Sequence, residues 1–593
     1  MAPSRGAGSL TPLEALAYLP RGPSSHGDAV GAACGGFEAK TTMRDVIAAL
    51  IERASRTPDE PFCWFRARGR ETRYSCREAL AASARYASLL QDEGLQPGDI
   101  VAIVLRHQPD LYFAFLGAML AGCVPSFMAF PSSKQDPALY WSHHQALFAR
   151  IGAKAVVTDA DNLEPLQQHC PGPLALTPQD AAGRGEAVPA RRPAPDEVAF
   201  LQHSSGTTGL KKGVMLSFGA VAAQVERYAG ELKLGGEDVI VSWLPLYHDM
   251  GLIACFMLPL TLGLPFVSLD AFEWVTQPQL LFQAIDERAG THVWLPNFAF
   301  HHLLRTVPAD FQADLSRMRG FIDCSEPCRV ESLEQFAAGF ARLGVRPEQC
   351  RICYAMAETV FAVTQTPPGE PVRAAVVSEA RLADGEAVAP EAQERARSVA
   401  SVGRPLRDVK LRIVDEAGAE LPDGRVGEVA VQAPFLFSGY HKDPETTARK
   451  LRGGWYHTSD LGFLEDGELY LLGRTDDLVI LNGRNVFAHH VEYAINAEAP
   501  EVKAGRCIAL GVFSEEVGSQ ELVILAEVEG ADPAAGKRLG RTIKSIVLNG
   551  FGVMPKEVKV VPPGWLAKTT SGKIARDLNL KRYLETKRTA EPV

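Results

Sequence analysis

Short apolar runs alternate along the first two thirds of the chain with longer stretches that mix apolar and polar residues. The runs at 100–105, 124–128, 155–158, 238–243, 292–295, 319–323 and 349–355 read as buried strands. Between and around them, segments 76–92, 109–121, 137–151, 219–229, 278–289, 297–305 and 331–343 read as helices. A further helix opens at 42–47, and 61–65 and 71–75 form a strand pair joined through Gly69. This alternation, at the spacing of parallel crossovers, predicts an α/β region built on parallel sheets.

The pattern changes after residue 366. Residues 366–400 are rich in Pro, Glu, Ala and Arg and hold no period. Short strand-like runs follow at 409–414, 427–432 and 468–472, punctuated by Asp423-Gly424 and Asp466-Gly467. Asp-Gly pairs between apolar runs are hairpin signals, so this part reads as antiparallel. A boundary falls at 474–477. Beyond it, a helix at 491–499, strands at 507–513 and 521–529, a helix at 534–548 and a strand at 557–561 read as a small α+β unit, ending in a basic segment at 565–583. The expected division is a flexible lead-in at 1–35, a large N-terminal domain at 36–474 whose antiparallel subdomain spans about 401–474, and a small mobile C-terminal domain at 475–593.

Composition narrows the function. A chain of 593 residues exceeds what one core serves, and 46% hydrophobic with 22% charged residues is ordinary for a globular protein. A net charge of -10 argues against a general nucleic-acid binder. No uncharged apolar run reaches the roughly eighteen residues of a membrane span; the nearest, 252–269, is broken by Pro259, Gly263 and Pro265. No hydrophobic segment follows Met1, which argues against a secretory signal. The 11 cysteines, odd in number and without framework spacing, fit a reducing, cytoplasmic setting. Cys350 and Cys353 read as buried thiols rather than a metal pair.

The densest chemistry lies at 204–214, Ser-Ser-Gly-Thr-Thr-Gly-Leu-Lys-Lys-Gly-Val, directly after the apolar run 198–201. Ser204, Ser205, Thr207 and Thr208 supply hydroxyls, Gly206 and Gly209 free the backbone to turn its N–H groups inward, and Lys212 adds charge. This is a phosphate cradle without the Walker ending. Glu358, beyond a predicted parallel strand, is a hard oxygen ligand suited to a divalent cation near phosphate. His248, in a Pro-rich turn, has a second reading as a structural donor, and Tyr354 reads equally as a core aromatic.

Taken in order, these motifs resemble the adenylate-forming superfamily of acyl-CoA synthetases, luciferases and nonribosomal peptide adenylation domains, in the form of its fatty acyl-AMP ligases. The resemblance spans about 40–585. It implies that 204–213 holds the ATP phosphates, with Thr207 and Glu358 on Mg²⁺. It implies that Ser325, Glu326 and Pro327 line the adenine side, that Tyr354, Ala355 and Met356 stack on the base, and that Asp460 accepts hydrogen bonds from both ribose hydroxyls. Arg474 would contact ribose or phosphate, and Asp476 would be the hinge. His248 would stand near the substrate carboxylate. Trp243, Met250, Asn297 and Phe298 would wall the acyl pocket, with the apolar stretches 256–260 and 298–304 taking the tail. Lys573, in 566–574, would bridge the carboxylate and the α-phosphate.

The implied reaction joins a carboxylic acid, by default a medium or long fatty acid, to ATP. It releases pyrophosphate and leaves an acyl-adenylate, with AMP as the bound product. The subgroup then delivers the acyl group to an acyl carrier protein, with coenzyme A the alternative acceptor. Its rotation-restraining insertion would overlap 366–400. A luciferase-type oxygenase and a degenerate nucleotide sensor are the remaining classes. Intact Glu358, Asp460, Arg474 and Lys573 argue against the sensor.

Overall fold

The computed structural model describes residues 9–10, 45–131, 137–189, 191–203, 212–481, 484–503, 505–515, 517–530, 533–568 and 574–590. Two sheets dominate the large N-terminal part. One has nine strands, in the order Arg404–Pro405, Ala362–Gln365, Cys350–Ala355, Gly320–Cys324, His292–Leu295, Ile240–Ser242, Phe266–Leu269, Pro61–Ala67, Arg70–Ser75. From Cys350–Ala355 to Pro61–Ala67 every pairing is parallel. Antiparallel strands close both edges. The other sheet is all parallel, in the order Val124–Phe127, Ile100–Val104, Ala153–Thr158, Leu174–Leu176. Its strand Ile100–Val104 is buried at every position, as expected of a parallel strand covered on both faces.

Local chemistry sets the helix starts. Ser75 caps Cys76–Asp92 with a reciprocal box: its Oγ accepts from Glu78 N at 3.3 Å, and Glu78 Oε2 accepts from Ser75 N at 2.8 Å. The helix expected at 42–47 runs Val46–Arg56, because Asp45 Oδ1 accepts from Ile47 N and Ala48 N, both at 2.9 Å.

The nine-stranded sheet separates two cores. Ile322, Cys324, Cys353 and Trp294 join Phe62, Phe115 and Phe256 on one face. Phe321, Ile352 and Tyr354 join Trp243, Trp274, Phe300 and Phe336 on the other. Strand alternation decides which residue goes where. Cys350 and Cys353 therefore enter opposite cores and cannot share a ligand.

The antiparallel subdomain pairs Lys410–Val414, Gly427–Gln432, Trp455–Glu465 and Glu468–Arg474 in turn, with Leu451–Arg452 also on Trp455–Glu465. Beyond it, Cys507–Ser514, Ser519–Glu527 and Glu557–Val561 form a three-stranded sheet packed against Ala488–Glu498 and Pro533–Phe551.

The structure adds to or corrects the sequence reading in several places. Residues 366–400 are ordered: Ala374–Ser378 pairs antiparallel with Ala396–Ala400 around a short helix, Glu379–Ala383. The run before the cradle extends over Val198–His203 and pairs antiparallel with Gly213–Ser217, with His203 opposite Gly213. The basic segment at 565–583 runs into the helix Arg576–Ala590. Of the lead-in, only Ser9–Leu10 is described, paired with Val188–Pro189. No helix among the described residues is long and apolar enough to cross a membrane.

Candidate active site

The carboxyl ends of the central parallel strands gather the candidate residues, where open α/β sheets place their ligands. Tyr354 is the penultimate residue of Cys350–Ala355 and is buried. Its hydroxyl donates to Asp460 Oδ2. Asp460 lies opposite Arg474 on the neighbouring strand, and Arg474 Nη1 stands 3.7 Å from Asp460 Oδ1. Burial pushes the Asp460 carboxyl up, and Arg474 opposes that shift. Burial, then the Asp460 carboxylate, pushes the Tyr354 phenol up. Arg474 Nε is buried without a hydrogen-bond partner among the described residues.

Ser459, immediately before Asp460, has φ +66°, in the region that favours glycine. Its neighbours hold the turn. Glu428 Oε1 accepts from Ser459 N at 2.7 Å, Thr475 Oγ1 donates to Ser459 O at 2.8 Å, and Lys450 Nζ donates to Ser459 Oγ. The Asp460 backbone N donates to Thr458 Oγ1 at 2.9 Å. The carboxylate is thus aimed by fixed backbone on both sides.

Glu358 follows Ala355 and Met356 and is buried. Two residues on, Val360 has φ 63° and ψ -55°, and Phe361 N donates to Thr359 O at 2.6 Å. That is a γ-turn of the rarer, strained hand on a β-branched residue, costing about 1–3 kcal/mol. It reverses the chain so that Glu358 can meet Tyr440, whose hydroxyl donates to Glu358 Oε1 at 2.8 Å. Lys212 Nζ sits 5.1 Å from the centre of the Tyr440 ring. Lys212 at the end of the cradle and the Glu358 carboxylate are therefore joined through one tyrosine. Residues 204–211, with Thr207, lie outside the described residues. Among the described residues no group of three acidic, histidine or cysteine side chains could hold a metal by itself. A single hard carboxylate next to a phosphate loop suits Mg²⁺, which keeps waters and substrate oxygens as its other ligands.

A second group lies on the Trp243 side of the sheet. Trp243 stacks on Trp274 with centroids 3.8 Å apart, and Phe298 meets Trp243 edge-on at 6.1 Å. Phe298 N, in the first turn of Asn297–Thr306, donates to Glu326 Oε2 at 3.1 Å, which ties the adenine-side loop to the pocket-wall helix. Ser325, in that loop, has φ +74°. His248 Nδ1 is 2.6 Å from Asp249 Oδ1 in the turn before the π-helical segment Met250–Met257. Met250 is buried in the opposite core from Trp243. The same is true of Phe256, Met257, Leu258 and Leu260, whereas Ala299, Phe300 and Leu303 lie in the core of Trp243.

The small domain folds back on this site. Arg329, just after the adenine-side loop, lies over the Tyr493 ring at 3.1 Å. Lys568 and Ile574 pair across the lysine loop, and Lys568 lies within electrostatic reach of Glu326. Asp476 is exposed in the 3₁₀ turn Thr475–Asp477, and its neighbour Asp477 binds Arg576 Nε at 2.6 Å. Lys573 itself lies outside the described residues.

The model of the AMP-binding enzyme family matches residues 50–441. The chain belongs to the AMP-binding enzyme family. A long-chain-fatty-acid–AMP ligase, FadD26 of Mycobacterium marinum, is 29% identical over 589 residues, covering 91% of this chain and 97% of its own length. A medium-chain-fatty-acid–[acyl-carrier-protein] ligase, JamA of Moorena producens, is 30% identical over 408 residues, covering 66% and 68%. Among solved structures, a fatty acyl-adenylate ligase chain from work on the E. coli and L. pneumophila enzymes superposes with TM-score 0.84 at 28% identity, covering 92% of this chain and 98% of that one. The fold is that of the adenylate-forming enzymes, and the chain is a ligase of the AMP-binding family.

Several residues around the family motifs were not legible in the sequence. Tyr440, Lys450 and Glu428 belong to no motif, yet they orient Glu358, Ser459 and the Asp460 turn. Tyr440 and Glu358 are 82 positions apart, and only the pairing of Gly439–Tyr440 with Gly213–Ser217 brings that tyrosine to the cradle strand.

Proposed function

We propose that this chain activates a carboxylic acid with ATP, releasing pyrophosphate and forming an acyl-adenylate, and then passes the acyl group to the phosphopantetheine thiol of an acyl carrier protein. The observation behind this reading is the cluster of Tyr354, Asp460 and Arg474, aromatic, two-oxygen acceptor and cation, with Lys568 of the small domain within electrostatic reach of Glu326. Membership of the family supports the first half-reaction. The carrier-protein ligase among the relatives supports the second.

The chemistry follows from charge and position. A carboxylate and a triphosphate repel, and a carboxylate is a poor electrophile. Tyr354 would stack on the base while Asp460 accepts the ribose hydroxyls, which fixes the α-phosphorus relative to the sheet. Arg474 and Lys573 would offset charge at the five-coordinate phosphorus while the acid oxygen attacks in line and pyrophosphate departs. Lys212 and the hydroxyls of the cradle would hold the leaving group. Magnesium, held by Glu358 with Thr207, would supply positive charge to the departing pyrophosphate. His248 would orient the acid's carboxylate, and Trp243, Asn297 and Phe298 would wall its chain. The thiol step needs a different face of the small domain, reached by rotation about Asp476.

Pyrophosphate release measured across carboxylic acids tests the first half. Transfer from preformed acyl-adenylate to holo carrier protein, against coenzyme A, tests the second. Adenylation without transfer to the carrier protein would refute the acceptor, and no pyrophosphate from any acid would refute the function.

A further inference from the structure

Asp323 is the penultimate residue of the central strand Gly320–Cys324 and is fully buried. Among the described residues neither carboxyl oxygen has a hydrogen-bond partner at normal distance and angle; the Cys328 thiol and the Cys324 amide are its polar neighbours. Parallel register sets Asp323 between Leu295 and Ile352. Its side chain thus faces the layer that holds Leu295, Ile352, Trp243 and Trp274. The charge acting on it, Glu326, has the same sign.

Asp323 is not alone in lacking a partner there. The indole N–H groups of Trp243 and Trp274 and the side-chain oxygen of Asn297 are also buried and unpaired among the described residues. Trp243 and Trp274 are the stacked pair that Phe298 meets, and Asn297 begins two residues beyond Leu295, the register neighbour of Asp323. An apolar layer that leaves donors and acceptors dry is unfavourable unless a ligand pairs them. An unsubstituted alkyl chain would leave all of them dry.

We propose that Asp323 is a specificity-determining residue that hydrogen-bonds a donor group on the acyl chain, so that the substrate is a hydroxy- or amino-substituted acid rather than an unsubstituted fatty acid. The proposal rests on the acid-activation reading above and names its substrate class. Burial, then Glu326, pushes the Asp323 carboxyl well above the usual carboxylate range, which favours its neutral form. A neutral carboxyl can both accept from and donate to a hydroxyl, whereas an ammonium group would draw out the carboxylate and pair with it. A site built around such a bond rejects the analogue that lacks the donor, because its own polar groups stay unpaired.

The test is pyrophosphate release from acids matched in length, unsubstituted, hydroxylated or aminated, with the substituent moved along the chain. Wild-type protein is expected to favour a donor-bearing acid by about 10-fold or more in kcat/KM. Asp323→Leu should bring that ratio to about one, with the KM for ATP unchanged. Asp323→Asn, which keeps the shape of the site and cannot ionise, should keep a hydroxyl preference and lose an amine preference, and it serves if the Leu variant does not fold. Preference for the unsubstituted acid, or a ratio untouched by Asp323→Leu, would overturn the assignment. Silence with every acid would overturn the acid-activation reading and this inference with it; turnover confined to unsubstituted acids would overturn the inference alone.

Discussion

Asp460→Asn separates a nucleotide-binding role from a structural one. In the proposed site both ribose hydroxyls donate to this carboxylate. A charge-assisted hydrogen bond contributes roughly 1.5–3 kcal/mol. Asparagine keeps one acceptor oxygen and replaces the other with a donor, so one such bond is lost. A loss of about 2 kcal/mol corresponds to about a 30-fold rise in the KM for ATP. The fold should lose little. Tyr354 can still donate to the amide oxygen, and the burial that disfavours the Asp460 charge is relieved. Arg474 loses its counter-charge across 3.7 Å, with its side chain 43% exposed so that solvent screens part of the change. The assay is initial-rate pyrophosphate release against ATP concentration, with a thermal melt of the same preparation. An unchanged KM for ATP with a lowered melting temperature would refute the reasoning and make Asp460 a strut for Tyr354.

Other expectations can be checked alongside. Lys573→Ala should abolish adenylation and spare transfer from preformed acyl-adenylate; equal loss of both half-reactions would contradict the two-orientation scheme. Tyr440→Phe removes the hydrogen bond to Glu358, worth about 0.5–1.5 kcal/mol, and should lower kcat severalfold while Glu358→Gln lowers it further and raises the magnesium needed for half-maximal rate; equal magnesium curves would exclude metal binding at Glu358. Asp323→Leu should stabilise the protein increasingly as pH rises. The raised carboxyl is harmless below its unfolded value, and its neutral form must increasingly be maintained against ionisation in the unfolded chain as pH climbs toward the folded value. Melting temperatures of the two proteins that stay parallel from pH 4 upward would refute this. Asp477→Ala breaks the contact with Arg576 and should alter the ratio of transfer to adenylation rates, read from the two half-reactions, more than it alters adenylation itself.

Much of the architecture was legible because its signals are local. Apolar runs at the parallel strands and capped helices between them depend on neighbours a few residues apart, and the strand His292–Leu295 and helix Cys76–Asp92 fall where the pattern puts them. The ordered hairpin inside 366–400 was missed because its strands, Ala374–Ser378 and Ala396–Ala400, are short and interrupted, and gain their burial from Phe463 and Tyr470 of the antiparallel subdomain. The motif residues Tyr354, Asp460, Arg474 and Glu358 could be picked out one by one, but not their mutual geometry.

By itself, then, the amino-acid order determined the alternation of strand and helix, the family and the kinds of side chain offered to a nucleotide, since each of these is written in short-range spacing. Only the tertiary structure decided that Tyr440 would hold Glu358, that Ser459 would sit at positive φ under Lys450 and Glu428, and that the apolar stretches at 256–260 and 298–304 would be parted by a sheet. Strand alternation assigns each residue one of two faces, but what waits on that face comes from elements tens or hundreds of positions away. Asp323 shows the difference: in sequence it is one acid in a strand, and in the folded protein it is a dry carboxyl facing a pair of stacked tryptophans' layer.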